Sequence, residues 1–183
     1  TISVAIPDNS ATGVTSTLAA TIPTGAVISG ISVNLNINHT WDSDLIINLV
    51  APNGQVLNLV NGRGGSGRNY TNTVISSTST TSLATGTAPF TGTFAADAAV
   101  GVGPTSFLST ATGFSALYSG TTSGNWKLAI RDRASGDVGT LTSWSITFTY
   151  TPSPSVSWTN SNTAIGLAAS GTGNISFTAT NAG

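Results

Sequence analysis

Seven side chains of this 183-residue chain could carry acid–base or metal chemistry: one histidine, His39, and six carboxylates, every one an aspartate. Asp42 and Asp44 stand two apart just before the apolar run Leu45-Ile46-Ile47-Asn48-Leu49-Val50. At the start of a strand that spacing puts both carboxylates on one side. Asp132 and Asp137 bracket the loop Arg133-Ala134-Ser135-Gly136. Calcium takes six to eight oxygens, mixing carboxylates, carbonyls and water. Two Asp pairs with loop carbonyls supply such a set if the two segments meet, and Asp8, beside a turn, is a further candidate ligand. The competing reading pairs Asp44 or Asp132 with Arg131, Arg133 or backbone amides, and has Asp8 cap its turn. Asp97 reads as a solvated loop residue.

A Ser-His-Asp triad would have to use His39. His39 continues the parity of Ile31, Val33, Leu35 and Ile37, which predicts a buried, structural imidazole hydrogen-bonded to a neighbouring loop. No Gly-x-Ser-x-Gly elbow is present, so no nucleophile is indicated. Gly62-Arg63-Gly64-Gly65-Ser66-Gly67-Arg68 is glycine-rich, but no Lys-Ser/Thr follows and no helix is signalled after it, against a phosphate cradle. It reads as a mobile surface loop. Of the four tryptophans, Trp126 and Trp144 fall on apolar strand faces and are assigned to the core. Trp41 has inward parity but lies at a strand end, and is the residue placed to contact a ligand, as aromatic platforms do in sugar-binding sandwiches.

The elements that must position these residues are strands. Apolar residues alternate with small or polar ones at Ile2-Val4-Ile6, Ile31-Val33-Leu35-Ile37, Leu45-Ile47-Leu49, Trp126-Leu128-Ile130 and Trp144-Ile146-Phe148-Tyr150. Each predicts a half-buried strand with one apolar face. Ala51-Pro52-Asn53-Gly54 predicts a turn joining Ile46–Val50 to Gln55–Val60 as a hairpin. Phe94 to Val100 has room for one short helical turn. No window carries sustained helical periodicity, and seven or more such strands imply two packed sheets, an all-β jelly-roll-like antiparallel sandwich.

Composition narrows the function. Charged residues make up 6% of the chain, against about 25% in an average soluble protein. Five basic residues cannot assemble a nucleic-acid-binding face or a polybasic membrane surface. The apolar runs are too short for membrane insertion. With no cysteine there is no disulfide framework, thiolate zinc site or thiol nucleophile. Uncharged surfaces rich in Ser and Thr suit secreted bacterial modules. Residues 1–150 read as one domain and 151–155 as a Pro/Ser linker. Residues 156–183, with strand-like pieces at Val156-Ser157-Trp158 and Ile175-Ser176-Phe177, read as the truncated start of a further β repeat or a docking tail.

Several stretches, in order, resemble the P domain (Homo B domain) of proprotein convertases and of bacterial subtilisin-like proteases and surface proteins. His39-Thr40-Trp41-Asp42-Ser43-Asp44-Leu45 is similar to its His-Thr-aromatic-x-x-Asp-Leu strand, and Ala51-Pro52-Asn53-Gly54 to its Ser-Pro-x-Gly turn. Gly64-Gly65-Ser66-Gly67 with Asn69-Tyr70-Thr71-Asn72-Thr73, then Gly124-Asn125-Trp126-Lys127-Leu128, resemble two further family stretches. Asp132, Asp137, Gly139, Leu141 and Trp144 resemble the family's ending. The resemblance implies an eight-stranded jelly roll without catalytic residues, which supports the folding, stability and calcium dependence of a neighbouring subtilisin-like serine peptidase or metallopeptidase domain. It favours a meeting of the two Asp segments around calcium. The expected partner is therefore an adjacent domain of the same polypeptide, outside the cell or at its surface. The alternative is a stand-alone adhesive repeat that binds a glycan or a surface protein, which the repeat-like tail favours.

Overall fold

The computed structural model describes residues 3–153, 157–161, 168 and 170–172. Two compact units are present, Thr1–Thr151 and Pro152–Gly183.

In the first unit nine strands form two sheets. They are β1 (Val4–Ile6), β2 (Val14–Ala20), β3 (Val27–His39), β4 (Leu45–Val50), β5 (Val56–Asn61), β6 (Tyr70–Ser76), β7 (Phe90–Phe94), β8 (Gly124–Asp132) and β9 (Gly139–Thr151). One sheet has the order β1-β9-β3-β6-β7 and the other β2-β8-β4-β5. The all-β sandwich expected from the alternation is thus present, with nine strands where the resemblance implied eight. All pairings in this unit are antiparallel except β6 with β7, which run parallel. A parallel pair needs a long crossover, here residues 77–89 with a 3₁₀ turn at Leu83–Thr85.

Residues of the alternating strands interdigitate between the sheets. Val33, Leu35 and Ile37 of β3 face Leu45, Ile47 and Leu49 of β4 and Leu128 and Ile130 of β8 in one core. Trp126 is fully buried and its ring lies 5.2 Å from that of Phe148, bridging the sheets. Trp144 is buried and its indole donates to Ser16 Oγ at 2.9 Å. Both tryptophans are core residues, as the parity predicts.

Three local expectations are corrected. The strands β4 and β5 are not half-buried but covered on both faces, apart from the partly exposed Asn61. Segment 97–111 lies over the outer face: the Asp97 and Ala98 amides donate to Leu59 and Asn58 carbonyls, and those of Thr110 and Ala111 to Val56. Asn48, fully buried beneath it, donates to the carbonyls of Val102 (2.7 Å) and Phe107 (2.8 Å). No helical turn forms over Phe94–Val100: those donations to β5 spend the amides a helix needs, and Ala98 sits at φ +52°. Segment 62–68, read as a mobile loop, is clamped. Gly67 and Gly65 carbonyls accept from the Asp42 and Ser43 amides, and a Cβ at Gly67 would strike Ala88.

In the second unit, β10 (Ser157–Thr159) pairs antiparallel with β11 (Ser170–Thr172), and the Trp158 indole lies against Gly171. The proposed strand pieces at Val156 and at Ile175–Phe177, and Ile2 at the start of the chain, lie outside the described residues.

Candidate functional site

The end of β3, the turn after it, the β8–β9 loop and the chain before β2 bring all five candidate ligands towards one end of the sandwich. β8 reaches Asp132 opposite Leu45, β9 starts at Gly139 opposite His39, and the Arg133 amide donates to the Asp44 carbonyl.

His39 and Asp132 form the buried centre of this end. His39 Nε2 lies 3.2 Å from Asp132 Oδ2, and both side chains are sealed from solvent. His39 Nδ1 is held by the backbone of Trp41, 3.1 Å from its N–H and 2.9 Å from its carbonyl. If the Trp41 N–H donates to Nδ1, the proton sits on Nε2. If Nδ1–H donates to the Trp41 carbonyl instead, the neutral ring carries its proton on Nδ1. Either way both ring nitrogens are engaged. The other oxygen of Asp132 accepts from the Ala134 amide at 3.1 Å. The imidazole is buried, as its parity predicts, and its partners are the loop at Trp41 and Asp132.

The two aspartates before β4 do not share a side. Asp42–Asp44 forms a 3₁₀ turn rather than the first residues of a strand. At three residues per turn, positions two apart diverge by about 120°. Asp42 turns inward: its Oδ1 accepts from the Asn69 amide at 2.9 Å, and its Oδ2 is buried without a partner. Burial pushes its carboxyl up to about 7, against a smaller pull down from the Asn69 hydrogen bond. Asp44 turns to the rim. Burial, then the neighbouring charges of Asp132 and Asp137, push its carboxyl up, while His39 and Arg133 pull it back. Asp137 accepts from the Thr40 hydroxyl at 2.8 Å. Asp8 does not cap its own turn but reaches the β8–β9 loop, where both of its oxygens accept from the Gly136 amide, at 3.2 and 3.1 Å.

Asp132 and Asp137 therefore lie within electrostatic reach of Asp44, whereas Asp42 is taken up by the Asn69 amide and Asp8 by the Gly136 amide of the β8–β9 loop. Among the described residues, no group of three or more His, Cys, Asp or Glu side chains is arranged to hold a metal ion by itself. Trp41 is 43% exposed. Its inward parity is lost because β3 ends at His39 and the 3₁₀ turn begins after it.

Sequence reasoning missed three residues here. Asn69 is the keystone: at φ +74° it gives its amide to Asp42 and takes the His39 amide on Oδ1 at 3.0 Å. An asparagine before an aromatic is a weak signal of a left-handed residue. The other two are Arg63 and Asp97. Asp97 is not solvated but 5% exposed and bound by the Arg63 guanidinium at 2.8 and 3.0 Å, with the Asn61 amide at 2.8 Å. These two lie 34 residues apart, and nothing local announces the pair.

The proprotein convertase P-domain family matches residues 28–89 and 103–148. Leupeptin-inactivating enzyme 1 of Streptomyces exfoliatus is 31% identical over 148 residues, 81% of this chain and 25% of that protein. Transglutaminase-activating metalloprotease of Streptomyces mobaraensis is 34% identical over 148 residues, 81% of this chain and 14% of that protein. The chain thus spans a quarter or less of these relatives. Among solved structures, the serine protease of Aeromonas sobria aligns with TM-score 0.45 and 18% identity, covering 79% of this chain and 24% of that one. With the matched segments running from β3 through β9 and including the buried His39 and Asp132, the chain belongs to the proprotein convertase P-domain family.

Proposed function

We propose that this chain is a non-catalytic accessory module of a secreted or cell-surface bacterial polypeptide, docking on and stabilising a neighbouring peptidase domain. The observation that carries the reading is the fate of His39. The one imidazole able to serve as a general base is sealed, with both ring nitrogens engaged by Trp41 and Asp132. The names of the two relatives, an inactivating enzyme and a metalloprotease, and the small fraction of each that this chain spans support an accessory role beside a peptidase.

The reading includes a structural calcium ion at the rim. The fit rests on charge: Asp44 is nearly buried beside Asp132 and Asp137, and like charges at that spacing cost free energy that a hard cation relieves. Asp44 and Asp137 would supply carboxylate oxygens. Backbone carbonyls and water would complete the shell, since the side chains alone do not. Bound calcium would tie the β8–β9 loop to the turn before β4 and stabilise the folded form by mass action.

The experiment is differential melting of the longer polypeptide, with and without residues 1–151, in calcium and in EGTA. The expected results are a lower melting temperature of the peptidase domain on deletion, and a fall for the intact protein in EGTA that Asp44→Asn abolishes. Unchanged melting on deletion would reject the accessory role, and unchanged melting in EGTA would reject the ion. Peptide hydrolysis by the 183-residue chain alone, lost in His39→Gln, would make it an enzyme instead.

The exposure of Trp41 favours a second reading, an adhesive repeat that stacks a sugar ring on this indole. Binding on a glycan array that disappears in Trp41→Ala would establish it.

A further inference from the structure

The outer face of the β2-β8-β4-β5 sheet carries a groove that the acidic end does not use. It has a volume of about 490 Å³ and is walled by Val50, Ala51, Pro52, Val56 and Phe107, with Asn125 and Lys127 at its polar side. Val50, Val56 and Ala129 form a small core of their own beneath it, separate from the main core, with Phe107 packed against them. Leu108, next in the chain, is 47% exposed.

Lys127 is the only lysine of the chain and sits opposite Val50 in the β8–β4 register and opposite Thr17 in the β8–β2 register. An inter-strand position facing Val and Thr offers it no carboxylate. Among the described residues the ion pairs are His39–Asp132 and Arg63–Asp97, so Lys127 has no counter-charge. Its ammonium is instead held over the Phe107 ring, 5.1 Å from the centroid. A cation–π contact fixes the position of the charge without neutralising it. In a chain with 6% charged residues, this leaves a half-buried ammonium at the edge of the groove with no carboxylate beside it.

We propose that this groove is the docking seat for a peptide segment of the adjacent domain that presents an apolar side chain next to a carboxylate. The apolar side chain fills the space between Pro52, Val56 and Phe107. The carboxylate pairs with the Lys127 ammonium, and the Asn125 amide donates to its second oxygen. The pairing is charge-assisted and partly desolvated, which is where such a contact gains most. This inference rests on the accessory reading above and names the surface and the partner chemistry for it.

The test titrates three peptides into the ¹⁵N-labelled 183-residue chain, followed by amide chemical shifts: acetyl-Gly-Leu-Asp-Gly-amide, the same peptide with Asn for Asp, and the same with Gly for Leu. The expected result is weak saturable binding of the first, with shifts confined to Asn125, Lys127, Phe107 and their neighbours. Affinity should fall about tenfold for the Asn peptide and for Lys127→Met, the loss of one charge-assisted hydrogen bond, and be restored by Lys127→Arg. Lys127→Met keeps the buried stem, and an unchanged amide spectrum outside the groove checks that it folds. Equal binding of the Asn and Asp peptides, equal binding by Lys127→Met, or shifts elsewhere would overturn the proposal. So would self-association of the chain, by sedimentation, that Lys127→Met abolishes, because the occupant would then be a second copy. In the longer polypeptide, Lys127→Met should lower the melting temperature of the peptidase domain as deletion of residues 1–151 does. If deletion has the effect and Lys127→Met does not, the groove proposal fails while the accessory role stands; if neither has it, the accessory role fails.

Discussion

Asp42 is the residue most out of place in this fold. Its carboxyl is fully buried, one oxygen has a single amide donor, and the other has none. Tyr70, also buried, lies in its field, and Gly64 lies close to its Cβ. Ionising such a group costs free energy, which is why its carboxyl rises from an ordinary 3.8 to about 7. The sign of the consequence follows from linkage. A raised folded value means that the folded state holds a proton the unfolded chain has lost. The associated stability is fully present below pH 3.8 and is lost as pH rises through about 7. At about 1.4 kcal/mol for each pH unit between the two values, the contribution is bounded at about 4 kcal/mol. Asparagine at this position keeps an oxygen for the Asn69 amide and cannot ionise. Asp42→Asn should therefore match the parent chain near pH 4, melt above it at pH 8, and give a flatter profile between. Thermal melts from pH 4 to 8 of protein stripped of calcium beforehand, in calcium-free buffers, measure this free of any calcium effect. Parallel curves for the two proteins would show that Asp42 does not titrate in this range.

At the scale of elements, the β3–β9 pair organises the acidic end, running from Val27 opposite Thr151 to His39 opposite Gly139 with register shifts between Ile28 and Gly30 and between Asn36 and Ile37. Gly139 is there for contact rather than for backbone freedom, since a Cβ on it would strike the His39 ring. The ring cannot yield without breaking from Trp41 or Asp132. Gly139→Ala should cost about 1–3 kcal/mol, the usual range for overpacking, read as a shift of the urea midpoint at unchanged slope. A cost below about 0.5 kcal/mol would mean that the histidine seat is loose. Strands whose inward positions are all large and apolar, such as Ile31-Val33-Leu35-Ile37 and Leu45-Ile47-Leu49, were legible from sequence. The strand β2 was not, because Ser16 holds one of its inward positions to receive the Trp144 indole. Nor was β6, where the register shifts relative to β3 between Leu35 and Ile37 and interrupts the alternation of Tyr70 and Thr73. That the Asp42–Asp44 and Asp132–Asp137 segments meet was expected from the family resemblance, not from the residues alone. The turning away of Asp42 was not legible, since a single 3₁₀ turn between two strands carries no hydrophobic period to read. The covering of β4 and β5 by segment 97–111 depends on main-chain bonds that no side-chain pattern encodes.

For the molecule as a whole, the division into Thr1–Thr151 and Pro152–Gly183 makes a sharp statement about where the sandwich ends. The strand β9 pairs with β3 to its last residue, and Ile146 and Phe148 near its end pack against the main core. Phe148 also closes the space over Trp126, the largest fully buried side chain. A chain cut after Thr151 keeps every one of these contacts. It should fold alone and melt within about 3 °C of the full chain, the shift that a change well under 1 kcal/mol produces in a domain of this size. A chain cut after Trp144 loses both side chains and the second half of the β3–β9 ladder. Truncating a buried Phe or Ile costs about 2–5 kcal/mol each, against a total stability of about 5–15 kcal/mol. The shorter chain should therefore lack a cooperative transition at 25 °C, with collapsed amide dispersion. Melting of the 1–151 chain far below the full protein would instead mean that residues 152–183 belong to the cooperative unit, because each strand of the sandwich would be intact and something outside it would be supplying the missing free energy.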